Sequence, residues 1–67
     1  MNDITIGKVL KLLRHRAGYS QRKLAAKSMI CHVSIYRYEN DLADPPYSVV
    51  QDLLKAMGYR LEIVKDD

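Results

Sequence analysis

Sixty-seven residues with a net charge of +3 and 48% hydrophobic composition make one small domain, residues 1–67. A chain of this length hides only about 60% of the surface that its unfolded form exposes, so its core is marginal alone and dimerisation is the natural supplement. The single cysteine, Cys31, excludes an intrachain disulfide, and there is neither an apolar run long enough to span a membrane nor a basic, apolar, small-residue leader. Together these predict a soluble cytoplasmic protein without membrane contact.

The net charge conceals an uneven distribution. Residues 1–38 hold eight cations against Asp3 alone, a net +7, while residues 39–67 hold three cations against seven acids, a net −4. A basic half joined to an acidic half fits a polyanion-binding face with a separate, differently used end. On charge alone, a solvated basic helix surface remains the alternative.

Along the chain, residues 5–17, TIGKVLKLLRHRA, place Ile6, Val9, Leu10, Leu13 and Ala17 on one stripe of an amphipathic helix. Thr5 is placed to cap its start and Gly18 to end it in the left-handed conformation. Lys8, Lys11 and His15 fall on the opposite, wet face. A second helix is predicted to start near Gln21, with Ser20 as N-cap and Tyr19 stapled onto Leu24.

The stretch 20–40, SQRKLAAKSMICHVSIYRYEN, contains no glycine or proline. Read as one helix it would put Leu24, Ile35 and Tyr38 on one face but leave Met29, Ile30 and Val33 facing water. A break near 28–31 repairs this. With Cys31 as N-cap of a new helix, Ile30 staples onto Ile35, Ile35 and Tyr38 point inward, and His32, Val33, Tyr36 and Arg37 occupy an outward arc.

Residues 41–46, DLADPP, read as a loop, because Pro45 and Pro46 lack amide donors and Pro46 suits the first turn of another helix. That helix, over about 46–57, carries Val49, Val50, Leu53, Leu54 and Met57 on one side and ends at Gly58. The tail then alternates with period two, Tyr59, Leu61 and Ile63 on one side and Arg60, Glu62 and Val64 on the other, which predicts a short strand over 59–64. Nothing else in the chain would pair with it, so the expectation is pairing with its copy in a second subunit, with a frayed or helical tail as the alternative.

SQRKLAAK, then Ile30, then SIYRYEN, flanked by IGKVLKLLR with Gly18 and by DPPYSVVQDLLKAMG, closely resembles the Cro/C1-type (XRE-like) helix-turn-helix domain of bacterial and phage repressors. The resemblance covers roughly residues 5–58, with the motif at about 20–40. Its positions are Gln21 opening the first motif helix, Leu24 and Ala25 where the helices meet, Ile30 in the turn, Ile35 and Tyr38 in the core, and Glu39 with Asn40 at the exit. It implies an all-α, lambda-repressor-like bundle of about four helices, to which the short C-terminal strand is added. Two residues depart from the pattern: Met29 stands where the family commonly has glycine, and Ser28 where it has an apolar residue. A non-glycine residue in the left-handed region costs of order 1 kcal/mol, so Met29 either accepts that strain or the turn is built differently.

The resemblance also implies a DNA-binding role for helix 31–39, carried by His32, Val33, Ser34 and Arg37, to which the outward arc adds Tyr36. Arg37 is the candidate for reading guanine, since its fork matches the paired acceptors of that base, and Val33 suits a thymine methyl. Gln21 resembles the family's phosphate clamp, bracing His32 as well, and Asn40 resembles a further phosphate contact. Arg22 and Lys23, with Lys8 and Lys11, are candidate backbone contacts, an ordinary solvated helix surface being the alternative. Arg14 and Glu39 match a family ion pair that reads as structural. A thiol at a helix N-terminus offers a redox switch at Cys31, against the plainer reading of a small residue standing in for a serine cap.

Cys31, His15 and His32 lack zinc-ligand spacing and the carboxylates form no general acid/base pair, so neither an enzyme nor a cofactor nor a metal is expected. The expected function is a sequence-specific DNA-binding transcriptional regulator, a repressor and often an autorepressor. It would bind double-stranded DNA at a palindromic operator as a homodimer joined through Tyr59, Leu61 and Ile63, in the nucleoid of a bacterium or of a phage-infected cell. The alternative is an antitoxin that also binds a partner toxin, since some small antitoxins resemble this chain, including a GYRLEIV-like strand after the last helix.

Overall fold

A computed structural model describes residues 4–66, which form four helices: α1 (Ile6–Ala17), α2 (Gln21–Ser28), α3 (His32–Glu39) and α4 (Tyr47–Ala56). Two of the starts have a side-chain cap. Thr5 is the N-cap of α1, its hydroxyl accepting from the Lys8 amide at 3.2 Å, and Ser20 caps α2 by accepting from the Lys23 amide at 3.0 Å. Cys31 occupies the N-cap position of α3 without a side-chain cap hydrogen bond, and Pro46 is the N-cap of α4 rather than part of its first turn.

The helix ends share one device, a residue in the left-handed region. Gly18 (φ 75°) ends α1 and Gly58 (φ 87°) follows α4, and in both cases paired backbone bonds close the terminus: Tyr19 to Arg14 and Gly18 to His15, then Tyr59 to Leu54 and Gly58 to Lys55. The other two ends use side-chain-bearing residues. Met29 (φ 63°) ends α2, its amide donating to the Ala25 carbonyl at 2.9 Å, and Asp41 (φ 57°) follows α3, with Leu42 donating to Arg37 and Asp41 to Tyr38. Met29 therefore keeps the turn geometry and accepts the strain. Its side chain is 88% exposed, so packing does not hold it there.

The core is Leu10, Leu24, Ile35, Val50, Leu53 and Leu54, one or more from each helix, with Leu13, Tyr19, Ala25, Ile30, Tyr38, Val49 and Met57 packed around it. Tyr19 and Ile30, the residues before the caps of α2 and α3, both pack against this core. The predicted α1 stripe is buried at Leu10 and fades at Ile6, which is exposed. Helix α3 packs on both α1 and α2, and α2 on α4.

Gly7 is buried where α1 meets the end of α3: a Cβ there would lie 2.0 Å from the Tyr38 carbonyl oxygen and 2.9 Å from Asp41 Oδ1. Only glycine permits this approach. Residues 59–66 form no regular secondary structure, and no strand is present among the described residues. The expected strand over 59–64 therefore does not form within one chain, for the physical reason that one chain offers no second edge to pair with.

Candidate nucleic-acid interface

Helix α3 divides cleanly into two faces. Ile35 and Glu39 are buried, whereas Val33, Tyr36, Arg37 and the C-cap Asn40 are exposed and His32 and Ser34 are half-buried. His32, Val33, Tyr36, Arg37 and Asn40 stand at i, i+1, i+4, i+5 and i+8, which lines them along one outward arc. A helix with its side chains is about 10–12 Å across, which the DNA major groove, about 12 Å wide, admits. Asn40 is held by its own helix, its side-chain amide donating to the Tyr36 carbonyl at 2.8 Å.

The inward face of the same helix anchors it through charge. Arg14 on α1 and Glu39 at the end of α3 are both buried, with relative exposures of 7% and 4%. They join in a two-pronged bond, Nε to Oε2 at 2.7 Å and Nη2 to Oε1 at 2.8 Å. The third prong of Arg14, Nη1, donates to the Tyr19 carbonyl at 2.9 Å, tying the α1–α2 loop to the pair. Desolvation is the largest single influence on Glu39 and pushes its pKa up. Hydrogen bonds from Arg14 and Gln21 and the charges of Arg14 and Lys11 together outweigh it and hold the carboxyl below its ordinary value. Arg14 is raised, chiefly by its hydrogen bond to Glu39 and against the cost of burial.

Gln21, the first residue of α2, is half-buried and donates from Nε2 to Glu39 Oε1 at 3.1 Å. Its partner is thus the carboxylate of the ion pair and not His32, as the resemblance implied. Arg22 and Lys23 are exposed in the first turn of α2. The Lys23 ammonium lies 5.1 Å from the centre of the Tyr19 ring and that of Lys27 lies 5.5 Å from it, so one aromatic ring holds two cations. Lys8 and Lys11 are exposed on α1, and Tyr59, Leu61 and Ile63 are exposed in the tail. Among the described residues no cluster of three His, Cys, Asp or Glu side chains could hold a metal ion, and no helix is long and apolar enough to cross a membrane.

Helices α2 and α3, joined by the Met29–Cys31 turn with an exposed arc on the second, have the form that a helix-turn-helix family model matches over residues 10–64. The chain belongs to the XRE-like helix-turn-helix family. Two curated relatives are the HTH-type transcriptional regulators PuuR of Escherichia coli (strain K12) and of Shigella flexneri, each 40% identical over 55 residues. The alignment covers 82% of this chain and 30% of each relative, so the chain spans about a third of the length of the proteins it matches. No solved structure matches it.

Within this helix-turn-helix domain, two contacts escape a reading of the sequence and a third is only faintly marked in it. The bond from Gln21 to Glu39 joins residues 18 positions apart and has no local periodicity. The approach of Gly7 to Tyr38 has none either. The Tyr19, Lys23 and Lys27 cluster does leave a trace, an aromatic residue followed by cations at intervals of four.

Proposed function

We propose that this helix-turn-helix domain is a sequence-specific DNA-binding repressor that acts as a homodimer on a palindromic operator, with α3 in the major groove. The observation that carries this reading is the arc of Val33, Tyr36, Arg37 and Asn40, exposed beside the half-buried His32 on a helix whose inward face is fixed by Ile35 and Glu39. Arg37 reads a guanine through its two-pronged donor set, Val33 meets a thymine methyl, and His32, Ser34 and Tyr36 contact base edges or the groove wall. Gln21, Asn40, Arg22 and Lys23 contact phosphates and set the register. Repression is steric: a dimer seated on its operator, at its own promoter among others, occludes polymerase.

The exposed apolar tail supports the dimer. Tyr59, Leu61 and Ile63 alternate with polar residues and stand 42%, 38% and 87% exposed, surface that pairing of residues 59–64 with a second copy would cover. Two reading helices would then lie about 34 Å apart, one turn of DNA. The same surface also suits a partner protein, the antitoxin reading. Light scattering on protein purified from its native genetic context distinguishes them: a mass of two chains fits the repressor, and a co-purifying second protein the antitoxin.

The direct test is binding to a palindromic duplex across a salt series. Affinity is expected to fall by about 0.9 log units per log unit of salt for each phosphate neutralised. A salt-independent affinity, or equal affinity for random DNA, would refute sequence-specific binding.

A further inference from the structure

We infer that Glu39 is a positioning residue for DNA contact, holding the Gln21 amide in its working orientation before DNA arrives. This rests on the proposed phosphate contact of Gln21. The carboxylate receives three donors: Arg14 Nε on Oε2, and both Arg14 Nη2 and Gln21 Nε2 on Oε1. Because an amide is planar, fixing one N–H of Gln21 also fixes the directions of its second N–H and of its carbonyl oxygen. Arg14 in turn cannot turn away from Glu39, because its third nitrogen is bonded to the Tyr19 carbonyl.

The chain of contacts therefore runs from the α1–α2 loop, through a buried ion pair, to a half-buried amide at the first residue of α2. Helix N-termini attract phosphate through their unpaired backbone amides, and a side-chain amide already held still at that first residue removes part of the ordering cost of binding. The buried pair then has two tasks, locking α1 to α3 and aiming Gln21.

The test must remove the carboxylate without leaving Arg14 buried and unpaired. Arg14→Met together with Glu39→Met does this at unchanged net charge, and an apolar replacement of both members of a buried pair commonly preserves the fold. Affinity for one palindromic duplex is measured for wild type, Gln21→Ala, the Met pair and the triple variant, each shown folded by circular dichroism. Gln21→Ala is expected to weaken binding, and the Met pair to weaken it about three- to tenfold when Gln21 is present and hardly at all when position 21 is alanine.

Equal weakening by the Met pair in both backgrounds, or none in either, overturns the inference while leaving the phosphate contact standing. An unchanged affinity for Gln21→Ala overturns the phosphate contact itself, and the inference with it. Should the Met pair not fold, side-chain nitrogen relaxation of wild-type protein decides without mutation. The Gln21 amide is expected to be rigid in the absence of DNA, and mobility equal to that of a solvent-exposed glutamine contradicts the inference.

Discussion

Breaking the Arg14–Glu39 pair from one side is expected to bring the domain close to its unfolding limit, whereas removing both partners is not. Both residues are buried, and the pair makes two bonds of 2.7 and 2.8 Å. Arg14→Met alone leaves Glu39 with only Gln21 as partner, and Glu39→Met alone leaves a buried guanidinium with only a backbone carbonyl. Either single change is expected to cost about 3–5 kcal/mol. A domain of this length has a total stability of about 3–10 kcal/mol, so each single variant sits close to its unfolding limit.

Urea unfolding followed by circular dichroism reads the effect. With a slope of about 1 kcal/mol per molar, the midpoint of each single variant falls by about 3 M or more, while the double variant stays within about 1 M of wild type. Single variants costing under about 1 kcal/mol, or a double variant as unstable as the sum of the singles, would show that the pair does not anchor α3. The pH dependence follows from the same bond. Glu39 has a folded pKa below its unfolded one, so its contribution is complete above the unfolded value and is lost as pH falls through the folded value. Wild type should therefore lose stability below about pH 4, where carboxylates titrate, and the double variant should show a shallower acid limb.

Other substitutions probe the turn, the helix packing and the reading face. Met29→Gly removes left-handed strain at a side chain 88% exposed and is expected to stabilise by up to about 1 kcal/mol, raising the melting temperature by about 4–8 °C; a lower melting temperature would contradict the strain. Cys31→Ser places a hydroxyl where α3 has no side-chain cap and should add up to about 1 kcal/mol in the same melting assay. Gly7→Ala puts a Cβ 2.0 Å from the Tyr38 carbonyl oxygen and is expected to cost about 3 kcal/mol, so a variant of wild-type midpoint would mean that α1 and α3 do not meet there. Arg37→Ala should leave the fold intact, cost about 1–3 kcal/mol of binding, and relax preference at one position per half-site; uniform weakening at every position would assign Arg37 to phosphate instead.

Much of this arrangement is legible locally. Thr5, Ser20 and the two glycines at 18 and 58 announce helix ends because caps act within three or four residues, and the core face of α4 follows from its spacing. The turn between α2 and α3 carries no such residue and is found only because one continuous helix would leave Met29, Ile30 and Val33 in water. The left-handed Asp41 goes unmarked, since an aspartate in a loop fits many conformations. Gly7 looks like a liability inside a helix until Tyr38 is brought against it. At the candidate site the outward arc of α3 is visible as periodicity, but the partner of Gln21 is not, because a hydrogen bond across 18 residues is decided by how α2 and α3 pack. The tail alternates like a strand, yet alternation only states a preference for an edge that a single chain does not supply.

Selection of bound duplexes from a random DNA pool with the purified chain tests DNA reading by α3 most directly. The expected product is a two-fold symmetric site whose half-site centres lie about 10 base pairs apart, because paired reading helices must meet one face of the duplex. A pool that gains no common sequence after repeated rounds, or enriches an asymmetric site with no second half, would contradict recognition by a symmetric pair of α3 helices.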